Sequence, residues 1–221
     1  AHDGRVSFTD RYRLCSLEAK TGLKAPGWGN DSGWVDLRAG LGRPIEGLSV
    51  SASTPGAVYK DMLIVGTSVP EALPSAPGDI RAYDVKTGAI RWTFHTIPQK
   101  GEEGYDTWEK GSAEYTGNTG VWTQVTVDEE LGLVYLPVES PTGHYYGGHR
   151  PGNNPQGESL VRPALPQREK KAHHQVRTPP MRGGHRVRRP SGNGDERRPS
   201  GPSLRARQAI PPGRLPPVAW S

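Results

Sequence analysis

An all-β fold assembled from repeated antiparallel hairpins is the architecture this sequence predicts, and three observations carry it. Short apolar runs recur through residues 1–161, each closed by Gly, Pro, Asp or Asn: "RVSF", "YRLCSLE", "GAVYKDMLIVGTSV", "DIRAYDV", "AIRWTFH", "VWTQVTVD" and "GLVYLPV". No stretch there sustains a capped helical period, and "DEELG" is short enough to be a turn. Two segments are near copies, "CSLEAKTGLKAPGW" at 15–28 and "RAYDVKTGAIRW" at 81–92.

The near copies place an apolar residue, an acid and Lys-Thr-Gly ahead of a second strand that ends in Trp. Physically this is a tight hairpin. Glu18 or Asp84 accepts turn N–H groups, Thr87 bonds locally, and Gly88 supplies a positive φ. Trp28 and Trp92 are then placed to dock on a neighbouring unit. A third hairpin, "VTVDEELGLVYLPV", follows. Hairpin units repeated at this spacing point to a propeller, in which each sheet packs on the next around a channel. An ordinary β-sandwich is the alternative.

Composition divides the chain in two. Residues 1–161 carry 14 Lys and Arg against 20 Asp and Glu, a net of −6, whereas 162–221 carry 14 against 3, a net of +11. The second part also holds 11 of the 22 prolines and a single aromatic, Trp220. It cannot bury enough apolar surface to offset chain entropy, so residues 162–221 are expected to be a disordered Arg/Pro-rich tail. The first part holds every Tyr and Phe and is long enough for a core of its own. The lone cysteine, Cys15, excludes an internal disulfide and a Cys-built zinc cluster, and is expected to be a small buried residue. No apolar run approaches the roughly 18 residues of a membrane span. The start, "AHDGRVSF", has no Met and no leader pattern, which suggests that the true beginning lies elsewhere.

The change at Val161 is abrupt enough to suggest a slip of reading frame. The codons for "RPALPQREK", read one nucleotide later, permit Ala-Leu-His-Ser-Arg-Ser-Gly-Lys, a parallel to "AYDVKTG" at 82–88. The tail would then be an out-of-frame translation of GC-rich DNA. A basic tail that binds nucleic acid through phosphates is the competing reading. Aromatics are not interleaved in it and no nucleic-acid motif precedes it, so no nucleic-acid partner is expected.

With the repeats in place, a family resemblance emerges. The run "SASTPGAVYKDMLIVGTSVPEALPSAPGDIRAYDVKTGAIRWTFHTIP" followed by "GYDTW", "VWTQVTVDEELGLVYLPVESPTG" and "YYGGHRPGNN" resembles the pyrroloquinoline-quinone (PQQ)-dependent dehydrogenases, most of all their glucose-dehydrogenase-like branch. The upstream "TDRYRLCSLEAKTGLKAPGWGNDSGWVDLRAGLGRP" resembles the preceding part of the same proteins, so the likeness covers residues 5–161. It implies a partial eight-bladed β-propeller of about three blades in residues 1–161. It also implies PQQ on the propeller axis, stacked on a Trp and chelating Ca²⁺ or Mg²⁺. The substrate would be a sugar, polyol or alcohol, with the glucose type favoured, and electrons would pass to a quinone or cytochrome. Family analogy places such proteins in the periplasm, often membrane-associated.

Residue by residue, the resemblance makes Trp122 in "TGVWTQ" the floor of the cofactor, since an indole face suits a flat aromatic quinone. Ser53, Thr54 and Ser68 fall where the family's hydroxyls bond the quinone carboxylates. Glu71 in "GTSVPEAL" falls at an acidic metal ligand, apt for a hard cation that takes carboxylate oxygen. "VESPTG" departs from the family, which often has Gly-Asn there. Glu139 and Ser140 are the oxygen donors this chain offers instead. His95, His144 and His149 are read as loop or structural residues. The catalytic Asp and quinone-contacting Lys of the family lie past the third hairpin and have no counterpart in residues 162–221, so the catalytic residue stays unassigned. The literal chain is therefore expected to be inactive. A non-catalytic propeller that binds partners through its loops is the rival reading.

Overall fold

A computed structural model describes residues 2–44, 46–143 and 146–163, together with the backbone strand Ala172–Gln175. The expectations for His144 and for the rest of 162–221 lie outside the described residues, as does the whole of a second unit, Arg186–Ser221.

Three antiparallel sheets account for the described strands. The first joins β1 (Arg5–Asp10), β2 (Arg13–Glu18) and β3 (Trp34–Asp36); the second runs β4 (Ala57–Tyr59), β5 (Met62–Val65), β6 (Ile80–Asp84) and β7 (Ile90–Phe94). The third runs β8 (Thr126–Asp128), β9 (Leu133–Val138), β10 (Ser159–Arg162) and β11 (Ala172–Gln175). In the second and third sheets, sequence neighbours pair in order, as a meander of hairpins requires. Among the described residues helix is confined to single turns, the longest being α1 (Ser112–Tyr115).

The Lys-Thr-Gly turns form as expected. One Asp84 carboxylate oxygen accepts the Lys86 and Thr87 N–H groups, each at 2.9 Å, and the Thr87 hydroxyl at 3.1 Å. Gly88 sits at φ +75°. In the earlier copy the Thr21 hydroxyl donates to Glu18 at 2.8 Å. The chain then departs from its twin. Only a single bridge, Leu17↔Lys24, follows the turn, and Trp28 lies in a loop before β3. Pro26 offers no N–H to a ladder, and Gly27 and Gly29 take positive φ, so the return strand breaks.

The middle sheet is covered on both faces, which is why β5 reads as an unbroken apolar run. Met62 and Ile64 face a cluster shared with Val134, Leu136 and Val161 of the third sheet. Leu63 and Val65 face a cluster shared with Leu14, Trp28 and Leu37 from the first sheet and the loops around it. Full burial of each such side chain contributes roughly 1.5–3 kcal/mol. Trp28 is 0% exposed and donates its indole N–H to the Leu14 carbonyl at 3.2 Å. It packs against the Gly88 turn of the next sheet, where a Cβ would come within 3.1 Å of the indole. Trp92 packs at the edge of the other cluster. Both indoles therefore dock between units.

Two expectations need correction. Cys15 is half-buried rather than buried, because alternation along β2 turns Leu14 and Ser16 inward and leaves Cys15 on the other face. Strand pairing also does not stop at 161. β10 extends to Arg162, and β11 pairs with it from Ser159↔Gln175 to Arg162↔Ala172. An edge strand presents unpaired N–H and C=O groups, and any extended backbone can satisfy them.

Candidate functional site

Strands alternate in direction, so the hairpin turns at 60–61, 85–89 and 129–132 lie at one end of the sheets and the long connections at the other. Those connections, 37–56, 66–79, 95–125 and 139–158, are stitched together by the bridges Ser51↔Ser68, Pro77↔Asn118 and Asn118↔Pro141. Asn118 is the hub. Its N–H donates to the Ala76 carbonyl at 2.9 Å, and its own carbonyl accepts from Gly78 at 2.7 Å. Asn118 and Thr119 sit at φ +60° and +57°, a region a β-branched residue rarely enters unless its surroundings hold it there. Backbone meets backbone at this point: a Cβ on Gly78 would lie 2.4 Å from Gly120. Glycine is the only residue that fits.

Trp122 follows directly. Val121 is 1% exposed and Trp122 is 52% exposed, so the segment turns its largest flat side chain outward at the loop end. The Thr54 hydroxyl donates to the Trp122 carbonyl, which brings the Ser53–Thr54 connection beside it. Ser51 and Ser68 exchange backbone hydrogen bonds at 3.0 and 2.8 Å. The hydroxyl residues 53, 54 and 68 thus occupy adjoining strand ends. Ser53 and Thr54 also border a cleft of about 360 Å³ with Arg5, Phe8 and Leu63.

The three expected metal donors are distributed around the 117–121 segment. Exposed Glu71 accepts from the Asn118 side-chain amide at 2.5 Å. Half-buried Glu139 donates its N–H to the Gly120 carbonyl at 3.1 Å. Asn118 bridges to Pro77, in the connection that carries Glu71, and to Pro141, in the connection that carries Glu139. The Ser140 hydroxyl donates to Glu158 at 2.5 Å. Ser140 is therefore committed to an acid that sequence reasoning did not single out. Among the described residues no three His, Cys, Asp or Glu side chains converge. The donor set around Asn118 is nonetheless all oxygen and amide, which suits a hard cation, and the Asn118 side-chain oxygen is buried with no hydrogen-bond partner among the described residues. With the exposed indole alongside, these residues fit a flat quinone and its cation by donor type.

Sequence reasoning also missed Asp79. It is 1% exposed, its carboxylate faces the Thr96 N–H without a hydrogen bond of normal geometry among the described residues, and Arg81 Nη2 stands 3.9 Å away. Burial pushes its pKa up to about 6, against the pull of His95, Arg81 and Arg43. It borders a cleft of about 600 Å³ with Arg43, Gln99, Tyr105 and Glu114. The Arg43 guanidinium is spent on the Ser75, Thr116 and Ala113 carbonyls. His95 is held by Glu102 at 2.9 Å and Gln99 at 3.1 Å. His149 packs edge-on against Tyr146.

Comparison with known proteins places this architecture. The pattern described as PQQ: glucose/ethanol/alcohol dehydrogenase, β-propeller domain, matches residues 2–168. The chain is 32% identical over 166 residues to the glycerol dehydrogenase large subunit of Gluconobacter oxydans (strain 621H), covering 72% of this chain and 21% of that protein. It is 27% identical over 145 residues to quinoprotein glucose dehydrogenase A of Acinetobacter calcoaceticus, covering 62% and 17%. Among solved structures, a quinohemoprotein alcohol dehydrogenase from Pseudomonas putida HK5 superposes with a TM-score of 0.65 at 27% identity, covering 80% of this chain and 25% of that one. The chain spans about a fifth of the length of the curated relatives it matches. Its three sheets are blades of a β-propeller, and the chain belongs to the PQQ-dependent glucose/ethanol/alcohol dehydrogenase family.

Proposed function

We propose that this chain carries the quinone- and cation-facing loops of a periplasmic, membrane-associated dehydrogenase that oxidises a sugar, polyol or alcohol and passes electrons to a quinone or cytochrome. The observation that carries the reading is Trp122, half exposed at the loop end between a buried Val121 and the Thr54 hydroxyl. Flat polarisable surface beside hydroxyl donors is what a planar tricarboxylate needs. When bound, PQQ supplies the two-electron acceptor and its Ca²⁺ or Mg²⁺ the Lewis acid. The protein's part is orientation. Trp122 would offer its indole face to the quinone, and Ser53 and Ser68 would donate to its carboxylates; Thr54, whose hydroxyl donates to the Trp122 carbonyl, would join them by releasing that bond. Glu71 and Glu139 supply anionic oxygen toward the cation, while Ser140, through its bond to Glu158, holds the connection that carries Glu139.

Glycerol, alcohol and glucose are named for different relatives, so the substrate is proposed only as a CH–OH donor. The Arg/Pro-rich run from Arg162 is read as out of frame, which the coding DNA around Val161 tests directly. For the enzyme reading, PQQ with Ca²⁺ is titrated into the chain and into a longer in-frame gene product. Quenched tryptophan emission is expected, lost in Trp122→Ala while the unfolding midpoint moves by no more than about 0.5 kcal/mol equivalent, as for an exposed position. Absence of uptake by both proteins sinks the proposal.

A further inference from the structure

We infer that Asn118 is itself a cation ligand, holding a hard divalent ion together with Glu71. The inference rests on the reading that Glu71 faces the cofactor's cation. Its own support is the state of the Asn118 side chain. Asn118 is 0% exposed, and its Oδ1 has no hydrogen-bond partner among the described residues. Buried amide oxygens are nearly always satisfied, so an orphan one marks a place where something else binds. The residue cannot swing away to find water. Its N–H, its carbonyl and bridges to Pro77 and Pro141 pin the backbone on both sides.

The other end of the same amide shows where the ion belongs. Nδ2 donates to Glu71 Oε1 at 2.5 Å, which brings an anionic carboxylate within one amide group of the orphan oxygen. Amide and carboxylate oxygens are the donors a hard divalent cation takes. Pinned Asn118 supplies a neutral, fixed oxygen; Glu71, on an exposed connection, supplies the charge and the ability to adjust. Where the resemblance leads one to expect Gly-Asn, this chain has Glu139 and Ser140 and so offers no amide there. Asn118 delivers an amide oxygen to the same segment from a different strand end. The competing role for Asn118 is a latch: its side-chain Nδ2 would tether the Glu71 loop, and an ordered water would satisfy Oδ1.

Calorimetric titration of the full chain with Ca²⁺ separates the two, using Glu71→Gln, Asn118→Asp and Asn118→Leu. A ligand role predicts that Asn118→Asp, which keeps an oxygen and adds charge, binds Ca²⁺ at least about tenfold more tightly. It also predicts a lowered unfolding midpoint in chelator that Ca²⁺ restores, because two facing carboxylates repel until the ion joins them. Asn118→Leu should weaken Ca²⁺ at least about tenfold; if that variant does not fold, the Asp variant decides. The inference is overturned if Glu71→Gln loses Ca²⁺ while folded Asn118 variants bind as the parent does, or if Asn118→Asp is destabilised with no restoration by Ca²⁺. In those outcomes Glu71 keeps its role and Asn118 is the latch. If the parent chain binds no Ca²⁺, or Glu71→Gln binds it unchanged, the cation reading of Glu71 falls and the inference falls with it.

Discussion

Asp79 and Asp84 stand at the two ends of one strand, just before β6 and at its close, and their surroundings pull their protons in opposite directions. At the turn end, partial burial raises the Asp84 pKa. The N–H groups of Thr87 and Lys86, the Thr87 hydroxyl and the Arg91 guanidinium outweigh it and hold the carboxyl below the ordinary range. At the loop end, burial wins for Asp79 and pushes it up to about 6. Every partner of the Asp84 carboxylate lies within seven residues of it. The charges around Asp79 come from residues 43, 81 and 95. One end of the sheet is solved by local hydrogen bonding and the other by segments brought together from across the chain.

The contrast is broken most severely at the loop end. Gly78→Val, next to Asp79, puts a side chain where even a Cβ would meet the Gly120 backbone at 2.4 Å. A loss of about 3 kcal/mol is expected from overpacking against backbone that cannot yield. Urea unfolding measures it, and a loss under about 1 kcal/mol shows that the connections are not packed as described. Asp79 comes next. A carboxyl whose folded pKa is raised favours the protonated form in the fold, so its contribution is most favourable below about pH 4 and declines as pH rises toward about 6. The span corresponds to about 3 kcal/mol at most. Asp79→Asn should remove that decline, seen as parent and variant unfolding midpoints that converge or cross between pH 4 and 6; parallel curves refute it. Asp84 has the opposite sign and the smallest effect. Its lowered pKa contributes stability above the unfolded value near 4 that is lost as pH falls through the folded one. Asp84→Ala should cost about 1 kcal/mol at pH 7, and less at low pH. A larger loss at low pH than at neutrality contradicts the assignment.

The turn end was legible in advance for the same reason that its effects are modest. "DVKTG" contains the acid, the hydroxyl and the glycine that make the turn, and all of them act on one another. The apolar run in β5 was equally readable, since a strand covered on both faces needs no polar side. β3 was not anticipated: "WVD" is too short to announce itself, and its pairing with β2 spans a loop broken by Pro26 and glycines. At the loop end, resemblance nominated Trp122, Thr54 and Glu71, and each lies by the 117–121 segment or bonds to it. Asn118, Glu158 and Asp79 went unnoticed. An Asn between Gly and Thr reads as an ordinary turn residue, and an acid before a strand reads as solvated. Only partners distant in sequence, such as Glu71 bonded at a separation of 47, distinguish the Asn.

By itself, then, the sequence determined the hairpins of the second and third sheets, the Lys-Thr-Gly turns and the docking of Trp28 and Trp92 between units. These follow from interactions within a few residues, or from an apolar pattern that any tertiary arrangement must bury. Tertiary structure decided which strand ends meet, that Asn118 is pinned between Pro77 and Pro141, and that its amide reaches Glu71. It also decided that of two aspartates on one strand, one is held ionised and the other is driven toward its neutral form. The physical reason is the same in each case. Burial and long-range partners, rather than residue identity, set what a polar side chain can do, and both exist only once separate blades have closed against one another.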